Sequence, residues 1–177
     1  MEEISGSDGY FLISPEKYTG DYVLTYKVKA MSESSVLITL FSASQKDNPG
    51  PLKLPPANST PRQIWDWRSN MEHYNLTFNN SSHGNTPFFF KNLSPKERPF
   101  NERLPNNIAT VGKWHDVEIG KINSRVWFKM DGKTYFDVTD EAPLESGHLI
   151  FRISGTTGDK VIFAKAAIKD VVISFDN

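Results

Sequence analysis

His115-Asp116-Val117-Glu118-Ile119-Gly120-Lys121-Ile122, followed by Ser124-Arg125-Val126-Trp127-Phe128-Lys129-Met130 and the dipeptide Asp131-Gly132, is the stretch that decides the fold class of this chain. Apolar and polar side chains alternate along both segments, which is typical of β-strands with one buried face. The Asp-Gly pair predicts a tight hairpin, because glycine adopts a positive φ at low cost. Residues 134–138 are the expected return strand.

The same kind of pattern extends over most of the chain. Short segments rich in Val, Ile, Phe and Tyr are separated by clusters of Gly, Pro, Asn and Ser, and helix has little support. Further strands are predicted at residues 10–13, 22–29, 36–43 and 147–154 and in two segments across 161–175, which gives about ten strands. A chain of 177 residues with this pattern predicts one domain, an antiparallel sandwich over residues 1–177.

Composition excludes several classes of protein. Lys and Arg total 20 against 21 for Asp and Glu, a net charge of -1 that provides no basic field for nucleic acid. The absence of Cys excludes disulfide scaffolds, thiolate metal sites and cysteine nucleophiles. No apolar run approaches the ~20 residues of a membrane span. The acidic start, Met1-Glu2-Glu3, does not resemble a secretory signal, so we expect either a cytoplasmic protein or, as the favoured alternative, the mature form of a periplasmic or secreted one.

The regular strand pattern fails between residues 44 and 113, over about 70 residues. Loops of this length are uncommon in compact domains unless they bind something or are disordered. Aromatic residues and cations are interleaved throughout this stretch, which argues against disorder and suits an anionic sugar. We therefore interpret residues 44–113 as a functional insertion.

Two tryptophans within this stretch are flanked by arginines, in Arg62-Gln63-Ile64-Trp65-Asp66-Trp67-Arg68. In an extended segment, Trp65 and Trp67 would share one face and Arg62 and Arg68 the other, so that each pair could line a groove. Alternatively, one Trp covers the core and the arginines bind backbone carbonyls.

The segment His73-Tyr74-Asn75-Leu76-Thr77-Phe78 alternates as a strand. Tyr74, Leu76 and Phe78 form a core-like face. His73 and Asn75 lie on the polar face, and we single them out as the strongest pair of site residues, although they could be ordinary surface residues.

Three further residues are candidates for the site. His83 lies in a turn-like loop, Asn79 to Asn85, which could be mobile or could fold over a ligand. Arg98 and Arg103 could each bind a carboxylate or sulfate through two hydrogen bonds. Arg98 could instead pair with a neighbouring glutamate at the surface.

Paired carboxylates for glycoside hydrolysis are poorly represented. A retaining glycosidase needs two acids about 5–5.5 Å apart that face one sugar. Asp116 and Glu118 share a strand face, but the opposite face, with Val117 and Ile119, reads as the core side. We therefore expect a solvated pair and disfavour retaining hydrolysis.

The second half of the chain contains five characteristic segments, namely Gly112 to Ile119, Val126 to Lys133, Asp137 to Asp140, Gly147 to Arg152 and Ala167 to Ile173. Together they resemble the C-terminal half of concanavalin A-like jelly rolls. Within that superfamily of lectins and glucanases, they look most similar to bacterial domains related to keto-disaccharide hydrolases, which are often found with polysaccharide-degradation systems. The resemblance implies an all-β jelly-roll sandwich of two antiparallel sheets. It allows for a structural Ca2+ and implies no other cofactor.

Two hypotheses follow for the function. The first is an enzyme of lyase or dehydratase type, acting by elimination on an acidic, uronic-acid-containing oligosaccharide. Elimination needs one base, His73 or His83, and a cation such as Arg68 or Arg103 that neutralises the anion. The alternative is a noncatalytic carbohydrate-binding module that uses Trp65 and Trp67 as stacking platforms. In both, the partner is an anionic oligosaccharide or polysaccharide.

Overall fold

Eleven strands and one short helix make up the described part of the chain in this computed structural model, which covers residues 1–5, 7, 9–48, 50–80, 84–94, 97–155 and 162–175. The elements in chain order are β1 (Tyr10–Thr19), β2 (Tyr22–Ala30), β3 (Val36–Ser44), α1 (Pro61–Ser69), β4 (Glu72–Asn79), β5 (Phe88–Asn92), β6 (Asn101–Arg103), β7 (His115–Ile122), β8 (Arg125–Met130), β9 (Lys133–Thr139), β10 (Ser146–Ser154) and β11 (Ala166–Phe175). In these ranges no helix is long and apolar enough to cross a membrane.

The strands form two antiparallel sheets packed face to face. One sheet has six strands in the order β1-β10-β3-β4-β5-β6, and the other has five in the order β11-β2-β7-β8-β9. Several neighbours in each sheet are distant in the sequence, so the chain crosses repeatedly from one sheet to the other. The predicted all-β jelly-roll sandwich is confirmed.

The predicted hairpin around Asp131-Gly132 lies in the five-stranded sheet. Val117 and Ile119 are buried in the core, whereas Asp116 and Glu118 point outward, as their alternation predicts. Asp131 and Gly132 have φ values of 51° and 76°, the two positive values of a type I′ turn. The Asp131 carboxylate accepts hydrogen bonds from His115 Nδ1 at 2.9 Å and from Lys113 Nζ at 3.0 Å, which fixes the turn to the start of β7.

Among the described residues, buried apolar side chains form two separate clusters. The larger one lies between the sheets and includes Leu24, Tyr74, Leu76, Phe78 and Phe128. A smaller cluster lies on the outer face of the six-stranded sheet, where residues of the 45–71 segment cover Leu40 and Ile150. Leu52, Met71 and Trp67 supply the apolar side chains of this cover. Within the described ranges, this cover occupies one end of the outer face and leaves the other end open.

Residues 44–113 are less irregular than the sequence pattern indicates. They supply α1 and three adjacent strands of the six-stranded sheet, β4, β5 and β6, so they form part of the sandwich itself. The aromatic run Phe88-Phe89-Phe90 conceals the alternation of β5, because all three side chains are apolar while only Phe89 points into the main core. Burial on both faces of a strand removes the period-two signal.

The extended conformation expected for residues 62–68 is wrong, because this segment is helix α1. Thr60 and Gln63 form a capping box, in which the Thr60 hydroxyl accepts from the Gln63 amide and the Gln63 side chain accepts from the Thr60 amide. Pro61 follows the cap, a position where its missing N–H costs nothing. A helix rotates Trp65 and Trp67 about 200° apart, so they cannot share a face.

The hairpin gives the first prediction. A Val side chain at position 132 causes no steric clash, since no atom lies within 4 Å of the added Cβ, but its backbone must adopt a φ near 76°. We expect Gly132→Val to lower the free energy of unfolding by about 1–2 kcal/mol. Urea denaturation measures this loss, and Gly132→Asn is the control, because Asn tolerates positive φ better and should cost clearly less. Equal stability of the Val variant and the unaltered protein would contradict the turn assignment.

Candidate functional site

A groove of about 310 Å³ lies on the open end of the outer face of the six-stranded sheet. Its floor is formed by β3, β4 and β5, and its rim by β6, β10, the end of α1 and Arg98. Four arginines line it, namely Arg68, Arg98, Arg103 and Arg152. No acidic residue of the described chain is among the lining residues, so the charged side chains of the lining are all positive.

A polar row on β4 forms the centre of the floor. Asn75, Thr77 and Asn79 lie on the outer face of the sheet, opposite to the core residues of the same strand. The Thr77 hydroxyl donates to Asn75 Oδ1 at 2.8 Å, and Asn79 Nδ2 donates to the Asn85 carbonyl. Asn79 Oδ1 is buried and accepts no hydrogen bond from the residues that the structure describes. This row places amide and hydroxyl groups of a rigid strand at the floor of the groove.

Two phenylalanines on β5 hold two of the arginines. Phe88 and Phe90 lie parallel, with ring centroids 6.0 Å apart and an interplanar angle of 10°. The Arg98 guanidinium lies 4.0 Å from the centroid of Phe90, and that of Arg103 lies 5.1 Å from the centroid of Phe88. Stacking on an aromatic face leaves the N–H groups at the edge of the guanidinium plane available to an anion. The aromatic rings therefore orient cations in this groove.

Strand pairing aligns these side chains across the sheet. Phe88 is opposite Arg103 on one side and Thr77 on the other, and Thr77 is opposite Ile38. Ile38 is in turn opposite Arg152 on β10. One transverse row thus has a guanidinium at each end and an aromatic, a hydroxyl and an apolar side chain between them.

His73 lies close to the groove but beneath its surface. Its side chain is 2% exposed, and Nδ1 lies 3.0 Å from the Met71 carbonyl, to which it donates in the neutral ring. Burial lowers the pKa of His73 to about 3, and the charges of Arg68 and Arg98 act in the same direction. The ring is therefore neutral near pH 7 and is no part of the groove lining.

The structure brings together some of the sequence-predicted residues and separates others. Arg68, Asn75, Arg98 and Arg103 line the groove, whereas Arg62, Trp65 and Trp67 do not. Trp67 packs edge-on against Phe11 and donates from Nε1 to the Lys53 carbonyl at 2.8 Å, which makes it part of the apolar cover.

The other two excluded residues lie on the helix surface. Trp65 is 45% exposed on α1, and the Arg62 guanidinium faces Asp66 at 3.9 Å. The expectation that both tryptophans form a stacking platform is corrected by the helical conformation of this segment. His83 lies outside the described residues.

Sequence analysis missed Arg152, Asn79 and the role of the Phe88 and Phe90 pair. Arg152 lies within the apolar strand Leu149-Ile150-Phe151-Arg152-Ile153, where a charged residue between two buried ones indicates an outward position.

The acidic residues of β7 are engaged in ion pairs on the opposite sheet. Asp116 lies 2.5 Å from Lys27 Nζ, and Glu118 lies 2.7 Å from Lys129 Nζ and accepts from Trp127 Nε1. These pairs agree with the expected solvated role. Among the described residues, no three His, Asp or Glu side chains are grouped closely enough to hold a metal ion.

Comparison with known proteins relates the chain to solved structures of low sequence identity. No protein-family model and no curated protein sequence matches it. A Bacillus subtilis protein of unknown function with a galectin-like fold has a TM-score of 0.69 at 13% identity, over 94% of this chain and 78% of that one. The carbohydrate-binding module CBM66 from Bacillus subtilis has a TM-score of 0.58 at 14% identity, over 94% and 83%. A Bacillus licheniformis β-glucanase has a TM-score of 0.57 at 10% identity, over 94% and 71%. The chain therefore shares the jelly-roll fold of these solved structures.

The buried histidine gives the second prediction. His73 titrates near 6.5 in a model peptide and near 3 in the folded protein, so a falling pH protonates the unfolded chain first. Between these values the free energy of unfolding should fall by up to about 1.4 kcal/mol per pH unit through this residue alone. We expect His73→Asn, which retains an N–H donor for the Met71 carbonyl, to remove that part of the slope.

Urea denaturation at a series of pH values measures both slopes. Above pH 6.5 the two proteins should differ only by a constant offset from lost packing, because the ring is neutral in both states. An unchanged acid slope in the variant would show that His73 is not buried in its neutral form.

Proposed function

We propose that this protein binds an acidic oligosaccharide in the groove of the six-stranded sheet. The observation that carries the proposal is that, among the described residues, the lining of the groove has four arginines and no acidic residue, on an otherwise nearly neutral protein. A groove of one charge sign attracts ligands of the opposite sign. Guanidinium groups also match the planar geometry of a carboxylate or the oxygens of a sulfate.

The polar floor supports a sugar as the carrier of that charge. Asn75, Thr77 and Asn79 present donors and acceptors of the kind that bind hydroxyl groups. One structural neighbour is itself a carbohydrate-binding module, which supports the same class of ligand.

Elimination chemistry, predicted from the sequence, has weaker support than binding. A general base must come within about 2.6–3.2 Å of the proton it removes. His73 is buried, its Nδ1 is engaged by the Met71 carbonyl, and its low pKa makes it a weak base. A catalytic role for His73 or His83 therefore stays a prediction, and we favour a noncatalytic binding module.

Binding gives the third prediction. The unaltered protein should bind a trimer of galacturonate and should not bind the fully methyl-esterified trimer, which has the same length and no charge. Arg103→Ala should weaken binding of the galacturonate trimer about tenfold, because a charge-assisted contact is lost. The loss should be larger at low ionic strength, where the ion pair is least screened.

Isothermal titration calorimetry measures these affinities. Arg125→Ala is the matched control, since Arg125 also stacks on an aromatic ring, Trp127, but lies on the opposite sheet. Equal binding of charged and esterified trimers would contradict the proposal. Ultraviolet absorbance during the same incubation detects an unsaturated product, and its appearance would restore the elimination hypothesis.

A further inference from the structure

We propose that the groove contains two separate anion subsites, so that its ligand carries acidic groups on at least two sugar units. One subsite is built on Arg98 and Phe90, and the other on Arg103 and Phe88. This inference rests on the proposed function and narrows it to a polyuronate or a multiply sulfated chain. A saccharide with one acidic group would occupy only one of the two subsites.

Each subsite is a guanidinium held on its own ring. Arg98 stacks on Phe90 and Arg103 on Phe88, and the two rings are fixed by strand β5 in a parallel arrangement 6.0 Å apart. Phe90 is 6% exposed, so the ring beneath Arg98 is held rigidly. A ring that carries a guanidinium on one face provides less surface for a sugar, which is why charge and hydrogen bonds dominate recognition here.

The two subsites occupy successive outward positions of one strand. Phe88 and Phe90 are two residues apart, which corresponds to about 6.6 Å along a β-strand. Their cross-strand neighbours also differ, because Phe88 is opposite Arg103 and Thr77 while Phe90 is opposite Asn101 and Asn75. Arg103 thus belongs to β6 itself, whereas Arg98 reaches its ring from the segment before β6. The two guanidinium groups are therefore attached to different parts of the chain.

A single carboxylate cannot satisfy both guanidinium groups in full. Its two oxygens match one guanidinium fork in a bidentate pair, and stacking on separate rings favours a separate anion for each guanidinium. Two acidic groups on neighbouring sugars can each engage one fork. The amide nitrogen of Asn75 and the amide of Asn101, in the row of Phe90, can bind the sugar hydroxyls nearby.

The test compares two trimers of galacturonate of equal length, one with three free carboxylates and one with a single free carboxylate and two methyl esters. Calorimetry measures their affinities for the unaltered protein, Arg98→Ala, Arg103→Ala and the double variant. We expect the fully charged trimer to bind at least about tenfold more tightly than the singly charged one. On the fully charged trimer each single variant should cost about tenfold and the two losses should multiply, because separate contacts add in free energy.

The singly charged trimer should respond differently. It can use either subsite, so each single variant should change its affinity by less than about threefold, whereas the double variant, which removes both subsites, should weaken its binding at least about tenfold. Equal affinities of the two trimers, or a double variant no weaker than either single variant, would overturn the two-subsite inference while leaving the proposed function intact. If neither trimer binds, the two-subsite inference and the proposed function are both overturned. Arg125→Ala controls for loss of a stacked arginine, and the melting midpoint verifies that each variant is folded.

Discussion

The alternation of strand β4 between two different buried environments is the constraint on which the rest of the structure depends. Tyr74, Leu76 and Phe78 fill the core between the sheets, while the side chains between them form the polar floor of the groove. A shift of register by one residue would turn amides into the core and aromatic rings into the groove, and unpaired amides are costly to bury. The same alternation therefore supplies both the stability of the sandwich and the chemistry of its outer face.

A buried polar network holds this register. The Tyr74 hydroxyl donates to Asp140 at 2.6 Å, and Lys91 Nζ pairs with the same carboxylate at 2.9 Å. Burial acts to raise the pKa of Asp140, but the hydrogen bonds from Tyr74 and Lys91 outweigh it and lower the pKa below its usual value. Because Lys91 faces the core, its neighbours Phe90 and Asn92 must face outward. The network thus connects β4 and β5 to the segment after β9 and orients the ring that carries Arg98.

Much of the fold could be predicted from the sequence, because the start of β7 has a clear period of two and the Asp131-Gly132 turn marks the hairpin of β8 and β9. The helix at residues 61–69 could not, since its Trp and Arg residues suggest a surface strand and the capping signal Thr60-Pro61-Gln63 spans only four positions. The polar face of β4 and three of the groove arginines were predictable from local spacing. Their convergence with Arg152 was not, because it depends on the pairing of β10 with β3, more than 100 residues apart in the chain. Burial of His73 likewise depends on long-range packing.

The central claim, that an acidic saccharide binds to the outer face of the six-stranded sheet, is tested most directly by two-dimensional NMR during titration with a galacturonate trimer. The side-chain resonances of Arg98 and Arg103 and the amide groups of Asn75 and Asn79 should shift together with a single affinity. Resonances on the opposite sheet, such as those of Trp127 and Arg125, should stay in place. Shifts confined to the five-stranded sheet or to the sheet edges would contradict this account of the molecule.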